Sequence, residues 1–381
     1  MSFVALWATK VKSVSVTAVL GMATEHQGRA RVALSAALAG GPSHAYLFRG
    51  PRGAGKRAAA RAFAAEILAV GAEDPDDARR RALLDPSPHP DLVWLAPRGA
   101  QHLVEEVRER VIRAAAYRPF EGAKRVFVIE AAEAMRDESQ NALLKTLEEP
   151  PAYVHLILLS SEPEALLETI ASRCQPVDFA PLSAEVLAAE LAGQGEAETV
   201  AAAARLAAGD LERARLLLDS RGRELRAEAE RCVGAALAGE LAAAPWKRLL
   251  DGAQASGEEV EAAVRDALEE EAKSGIKRTA RDISDESKRA GRRRRTEILD
   301  LGLELCAAWL RDLAAVASGA EEVAFNRDRL DLLRSQVAGI DAGRARQGAE
   351  LVQATRRGLD LNVSEELALE ALFFRLERLL G

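Results

Sequence analysis

The sequence predicts a parallel α/β domain followed by a region built of helices alone. Short apolar runs at residues 45–48, 92–95, 126–129 and 154–159 have the length and composition of strands that are buried on both faces. Amphipathic helical patterns separate these runs, and this alternation is typical of a parallel sheet with crossover helices. After Pro181 the sequence is rich in alanine and leucine and has no strand pattern.

The composition is typical of a helix-rich globular protein with two or three domains. A chain of 381 residues exceeds one ordinary domain, and the hydrophobic content of 48% includes few aromatic residues. The formal charge of −7 excludes a globally basic nucleic-acid binder, although it permits a local basic patch. The three cysteines, Cys174, Cys232 and Cys306, lack metal-ligand spacing and are expected to be buried thiols. No apolar run reaches the roughly 20 residues of a membrane helix and no signal peptide opens the chain, so we expect a cytoplasmic protein.

A glycine-rich segment directly follows the first apolar run. Residues 50–57 read Gly-Pro-Arg-Gly-Ala-Gly-Lys-Arg, which matches the phosphate-binding pattern G-x-x-x-x-G-K-[ST] except at the last position. Gly50, Gly53 and Gly55 allow backbone N–H groups to turn inward around phosphates, and Lys56 would reach the β and γ oxygens. The segment predicts a nucleotide site, and a glycine-rich turn that binds nothing is the alternative.

The rest of the chain is organised around residues 125–183. The buried run 126–129 ends at Glu130, which places a carboxylate at the tip of a strand, where ligands bind in open α/β sheets. A helical pattern follows and ends at Pro150 and Pro151. Ser160 and Ser161 close the next apolar run; serine there could hydrogen-bond a γ-phosphate as a polar sensor, and the alternative is that serine is common at any strand end.

Two segments of this stretch resemble a known family. Residues 141–150 read Asn-Ala-Leu-Leu-Lys-Thr-Leu-Glu-Glu-Pro, and residues 172–175 read Ser-Arg-Cys-Gln. Together they resemble the clamp-loader subunits of bacterial DNA polymerase III, a branch of the AAA+ P-loop ATPases. The resemblance implies a P-loop AAA+ domain at residues 14–181, a small helical lid at 182–221 and an all-α collar domain at 222–381. Residues 1–13 have no clear pattern and are assigned no role.

The chain departs from the motor subunits of that family at the positions that hydrolysis needs. Arg57 stands where a serine or threonine hydroxyl would ligate magnesium, and a guanidinium cannot ligate a cation. Glu130 keeps a carboxylate at the metal-facing position, but Ala131 replaces the glutamate that would activate water. We therefore expect at most weak or vestigial ATP or ADP binding and no ATPase activity of the chain's own. No cysteine occurs between residues 70 and 90, so the zinc module of many relatives is not expected.

Arg173 is the residue that the resemblance marks for an intermolecular role. In the family, the arginine of the Ser-Arg-Cys triplet projects onto ATP held by the neighbouring subunit as an arginine finger. A planar guanidinium in that position neutralises charge on the transferring phosphate. The alternative is a surface or salt-bridged arginine.

The region after residue 181 supports the same interpretation and contains one unusual segment. Asp210 and Glu212 stand where the lid of a motor subunit carries a serine and an arginine. Helices are predicted at about 223–238, 258–273, 297–317 and 344–358, and Leu361-Asn362-Val363 resembles the collar terminus. Residues 273–295 hold ten basic and three acidic side chains without an aromatic residue. Such a run is usually a solvated face or loop, and contact with nucleic-acid phosphates is the alternative.

These observations predict a delta-prime type of clamp-loader subunit that acts in DNA replication. The resemblance implies that gamma/tau motor subunits and a delta subunit are its partners, and that it meets the sliding clamp and primer–template DNA through the complex. Two alternatives stay open. One is a gamma/tau-type ATP-hydrolysing motor, and the other is an AAA+-derived scaffold that binds nucleic acid through residues 273–295.

Overall fold

A computed structural model describes residues 16–85, 87–97, 101–273, 279–359 and 364–381. Its internal contacts divide the chain into two compact units. The first contains the described residues through Val186 together with Gly209–Glu212, and the second contains Leu187–Ala208 and Arg213–Gly381. The sequence-based division at residues 181 and 221 stays a prediction. The N-terminal segment 1–13, residues 274–278 of the basic run and the Leu361-Asn362-Val363 segment lie outside the described residues.

The first unit is built on a parallel sheet. Its strands among the described residues are β1 (Ala45–Arg49), β2 (Leu92–Leu95), β3 (Arg125–Ile129), β4 (Val154–Ser160) and β5 (Gln175–Asp178), in the order β2-β3-β4-β1-β5. Every pairing is parallel. The predicted α/β class is therefore confirmed, and the four predicted strands are present with almost the predicted bounds.

Strand β5 is the one that the sequence pattern did not reveal. It pairs with β1 at the edge of the sheet, and only Val177 of its four residues is buried. Pro176 interrupts the apolar pattern of a strand. Proline has no backbone N–H to donate, and it is tolerated at the edge of a sheet, where one side of the strand has no neighbouring strand. The strand is thus specified by its place beside β1 more than by its own residues.

Helices cover the sheet of the first unit. They are α1 (Val16–Ala23), α2 (Gly28–Gly40), α3 (Lys56–Ala69), α4 (Pro75–Leu83), α5 (Val104–Val107), α6 (Asp137–Glu148) and α7 (Glu168–Ala171). Helix α3 is buried along nearly its whole length, because its many alanines allow close approach to the sheet.

Three segments of the first unit have short or irregular helical structure. The stretch from Pro163 to Ile170 consists of a 3₁₀ turn at Pro163–Ala165 and the start of α7, because Leu166 between them is extended and buried in the core. Helix α5 continues as a π-helical segment at Arg108–Arg113. The polar stretch 70–90 contains α4, which Asp74 caps through the N–H groups of Asp76 and Asp77.

The second unit consists of helices throughout its described part. They are α8 (Ala184–Glu190), α9 (Ala197–Leu206), α10 (Leu211–Leu218), α11 (Ser220–Ala238), α12 (Lys247–Lys273), α13 (Ala280–Ala317), α14 (Leu330–Gln336), α15 (Ala342–Leu359) and α16 (Glu365–Leu380), of which α8 and α10 begin in the first unit. The predicted helices are present, but α12 and α13 begin well before residues 258 and 297. The basic run is therefore helical from Ala280 onward.

Helices α12 and α13 pair antiparallel and touch through their backbones. Leu249 lies beside Gly302, and Gly257 lies beside Gly291. A Cβ added to Gly291 would stand 2.8 Å from the Gly257 carbonyl oxygen, and a Cβ at Gly257 would stand 2.7 Å from the Gly291 oxygen. Glycine is thus required on both sides of this crossing.

The three cysteines are free and buried, as expected. Burial raises the pKa of the Cys174 thiol to about 12. Among the described residues, no helix combines the length and hydrophobicity needed to cross a membrane.

The backbone contact between α12 and α13 yields a stability prediction. Gly291→Ala should lower the free energy of unfolding by about 1–3 kcal/mol, because the new methyl group must push two helix backbones apart. Gly252→Ala is the matched control on α12, where nothing lies within 4 Å of the added Cβ, and it should be neutral or stabilising by up to about 1 kcal/mol. Chemical denaturation followed by circular dichroism measures both changes. Equal effects of the two substitutions would contradict the proposed crossing.

Candidate functional site

The predicted phosphate loop lies at the carboxyl edge of the sheet, between β1 and α3. Gly50, Gly53 and Gly55 all have positive φ angles, of 148°, 70° and 87°. A Cβ at Gly50 would stand 2.1 Å from the Phe179 carbonyl oxygen, so that position accepts only glycine. The loop therefore retains the backbone shape that the sequence pattern predicts.

Gln27 forms hydrogen bonds that fix the position of this loop. This residue was not identified from the sequence. Its buried side chain donates to the Ala54 oxygen at 3.0 Å and to the Ala180 oxygen at 2.7 Å, and it accepts from the Ala180 N–H. The loop is thereby tied to the segment that follows β5. A lone glutamine before α2 carries no pattern, so only the fold reveals this role.

Lys56 is buried and bonded to its own loop. Its Nζ donates to the carbonyl oxygens of Gly50 and, at 2.7 Å, of Pro51. Burial lowers the pKa of Lys56 to about 8. The carboxylates of Glu133 and Asp210 act in the opposite direction and raise this pKa, because they favour the charged ammonium group. The ammonium group therefore lies among carbonyls and carboxylates of the chain itself.

Arg57 and Glu130 are brought together as a pair. The Arg57 Nε lies 3.8 Å from Oε2 of Glu130, and its Nη2 donates to Oδ2 of Asp85 at 2.9 Å. The same Glu130 oxygen accepts the indole N–H of Trp94 at 3.0 Å. The carboxylate at the tip of β3 thus accepts one hydrogen bond from the protein and lies close to one of its cations.

A second arginine on α3 completes this cluster. Arg61 is almost fully buried, stands 4.4 Å from the centre of the Trp94 ring and lies 3.0 Å from Oδ1 of Asp85. We name residues Arg57, Arg61, Asp85, Trp94 and Glu130 the arginine cluster. The spacing of Arg57 and Arg61 by one helical turn was a signal available in the sequence, whereas Asp85 and Trp94 join only through the fold.

The arginine cluster does not fit the magnesium ion that a P-loop ATPase implies. Magnesium requires near-octahedral oxygen ligands, commonly a carboxylate and a hydroxyl of the protein with phosphate oxygens and water. Here the hydroxyl position carries a guanidinium, and the Glu130 carboxylate faces that cation and the Trp94 N–H. The three glycines of the predicted phosphate loop have positive φ angles, and the Glu130 carboxylate beside the loop lies close to a cation of the protein itself.

Ala131 follows Glu130, at the position predicted for a water-activating group. Ala131 occupies it with φ of 49°, a left-handed conformation that is uncommon for alanine, and offers only a methyl group. Glu133, two residues further on, accepts both the N–H and the hydroxyl of Ser161 at 3.1 Å. The predicted sensor serine is therefore bonded to a carboxylate that the sequence interpretation overlooked, although it lies only three residues after Glu130.

Asp210 adds a further negative charge to the loop. Its side chain lies where a Cβ on Gly53 would fall, with Oδ1 2.4 Å from that point. This residue belongs to the same compact unit as the phosphate loop. A carboxylate in this position disfavours anionic phosphates.

Arg173 lies on an exposed turn after α7. Its Nη2 donates to Oε1 of Glu148 at 2.7 Å, and its Nη1 donates to the Thr169 oxygen at 3.0 Å. About a third of the side chain is exposed, and the adjacent Cys174 is buried in the core. The arginine thus projects from a firmly anchored base and forms a surface ion pair, which is worth about 0.2–1 kcal/mol and is easily exchanged.

The burial of Lys56 leads to a pH prediction. In protein labelled with ¹³C at lysine Cε, the Lys56 signal, assigned by its loss in Lys56→Met, should titrate with a midpoint near pH 8. An unfolded lysine titrates near pH 10.4, so the folded chain binds fewer protons between these values and this group's contribution to stability rises with pH there. A midpoint above pH 10 would contradict the described burial.

Comparisons with known proteins find a matching family model and several similar relatives. A family model described as DNA polymerase III, delta subunit, matches residues 29–183. The delta-prime subunit of DNA polymerase III from Pseudomonas aeruginosa is 36% identical over 215 residues, which are 53% of this chain and 64% of that protein. The Bacillus subtilis delta-prime subunit is 33% identical over 150 residues, 38% of this chain and 44% of the relative.

A tau/gamma subunit and a solved structure are also similar. The tau/gamma subunit from Haemophilus influenzae is 37% identical over 134 residues, 34% of this chain and 19% of the relative. The crystal structure of a DNA polymerase III gamma subunit-related protein from Thermotoga maritima has a TM-score of 0.46 at 14% identity, covering 92% of this chain and 99% of that one. The chain spans less than two thirds of the length of the three curated relatives. Over the matched region it is delta-prime-like, similar to the delta-prime and tau/gamma subunits of bacterial DNA polymerase III.

Proposed function

We propose that the chain is a delta-prime-type clamp-loader subunit that supplies Arg173 to ATP bound by a neighbouring subunit and does not hydrolyse ATP itself. The observation that carries this proposal is the contact of Arg57 and Trp94 with Glu130, which leaves the carboxylate facing protein donors. The similarity to delta-prime subunits points in the same direction. The proposed partners are gamma/tau motor subunits and a delta subunit, with the sliding clamp and primer–template DNA reached through the complex.

The chemistry of the site supports a role in trans more than turnover in cis. Hydrolysis needs a bridging cation and a group that orients the attacking water. The first is opposed by Arg57, and the second is missing at Ala131. ATP or ADP binding would be weak at most, because Glu133 and Asp210 surround Lys56 with negative charge. We propose no zinc or other metal as a requirement.

Arg173 retains what an arginine finger requires. Its guanidinium is exposed in part, and the core packing of Cys174 and Ile170 fixes the backbone from which it projects. Release from Glu148 costs little because the pair is near the surface. Arg173 would then exchange the Glu148 carboxylate for the triphosphate of a neighbouring subunit, which carries more negative charge.

A gamma/tau-type motor is the alternative, and the tau/gamma relatives are the observation that favours it. It predicts ATP hydrolysis by the purified chain alone, in the presence of magnesium. The proposal predicts hydrolysis no faster than that of a Lys56→Ala variant. A rate that is well above this control would favour the motor.

The finger is tested by Arg173→Ala in a complex reconstituted with the motor and delta subunits. We expect the maximal ATPase rate to fall at least about tenfold with little change in KM, because arginine fingers contribute about 10³–10⁵ in rate in other phosphoryl-transfer enzymes. The matched control is Arg108→Ala, which breaks another exposed ion pair with α6, the one to Glu138, and should leave the rate unchanged. Gel filtration verifies that each variant still assembles. Full activity of an assembled Arg173→Ala complex would rule out the proposed role.

A further inference from the structure

The basic run singled out in the sequence forms a specific surface on α13. Four of its arginines are engaged with carboxylates: Arg281 with Asp285, Arg293 and Arg294 with Glu297, and Arg295 with Glu365. The remaining cations with described side chains are Lys288, Arg289 and Arg292. None of these three forms an ion pair with the side chains that the structure describes. We name Lys288, Arg289 and Arg292 the basic ridge.

The basic ridge has the geometry of a continuous contact surface. Lys288 and Arg292 are exposed and lie one helical turn apart, which is about 6 Å along the axis, and Arg289 is half-buried beside them. Gly291 faces α12 and allows the two helix backbones to approach closely at Gly257. The charges are therefore carried by a paired, and thus stiffened, helix.

Three of the carboxylates on α12 and α13 near the ridge are paired with other residues. On α12, Glu261 pairs with Arg265, and Glu259 pairs with Arg221. On α13, Asp285 lies 3.9 Å from Arg281. The three cations of the basic ridge are therefore not neutralised by these carboxylates, although the chain as a whole carries −7.

The chemistry of α12 and α13 restricts the kind of partner. Residues 247–308 contain no phenylalanine, tyrosine or tryptophan, so they offer no platform on which unpaired bases could stack. The described residues of both helices also lack exposed large hydrophobic side chains, which protein partners use as anchors. Duplex DNA requires neither feature and presents one phosphate charge per about 1.7 Å of its axis.

We propose that the basic ridge is a binding surface for the phosphate backbone of duplex DNA, independent of base sequence. This proposal does not rest on the clamp-loader role or on Arg173, because it concerns a surface that the isolated chain already presents. Three neutralised phosphates predict a slope of about −2.7 in log K against log salt concentration.

The test is fluorescence anisotropy with a labelled 20-base-pair duplex and the full chain, over a series of KCl concentrations. The variant K288A/R289A/R292A should weaken binding at least about tenfold at low salt and reduce the steepness of the salt slope by about 2.7. The charge-preserving variant K288R/R289K/R292K should bind as the unsubstituted chain does. Circular dichroism verifies folding of each variant.

The matched control is R344A/R346A/R375A, which removes three exposed cations of the same unit and should leave both affinity and slope unchanged. Equal weakening in the two triple variants would overturn the proposal in favour of a nonspecific charge effect. Absence of measurable duplex binding would overturn it as well. Tighter binding of a single-stranded oligonucleotide than of the duplex would overturn the choice of partner.

Discussion

The contacts of Arg57 and Trp94 with Glu130 decide how the candidate site is interpreted. In a P-loop ATPase, the carboxylate at the tip of the third strand faces a metal ion that a hydroxyl of the loop also binds. In this chain the indole N–H of Trp94 donates to that carboxylate and the guanidinium of Arg57 lies 3.8 Å away. The protein itself thus supplies a positive charge at the place of the metal. The position of Arg57 beside Glu130 therefore supports the proposal that this chain acts on ATP bound by another subunit.

Apolar packing and hydrogen bonds within the chain stabilise the first unit around the predicted phosphate loop. Helix α3 is buried along nearly its whole length. Gln27 connects the loop to the segment after β5 through one hydrogen bond to Ala54 and two with Ala180. Lys56 finds acceptors in its own loop. The same framework anchors the base of Arg173 through Cys174. This packing therefore holds the turn from which the proposed finger projects.

Local patterns of the sequence predicted the parts of the fold that bury continuous apolar surface. The central strands and most helices followed from such runs, because burial on both faces leaves a strong signal. Strand β5 and the first turns of α13 were not predicted from the sequence. The reason is that Pro176 and the charged residues after Ala280 do not form a periodic apolar pattern. Arg57 and Glu130 were recognised from motif positions. Trp94 and Asp85 were not, since only the folded chain brings them to α3.

The most direct measurement is diffraction from crystals grown with ATP and manganese, with anomalous data collected at the manganese edge. Our account predicts no anomalous peak at Glu130 and retention of its contacts with Arg57 and Trp94. A manganese ion about 2.1 Å from a Glu130 oxygen, with Arg57 displaced and ATP oxygens completing the shell, would contradict it.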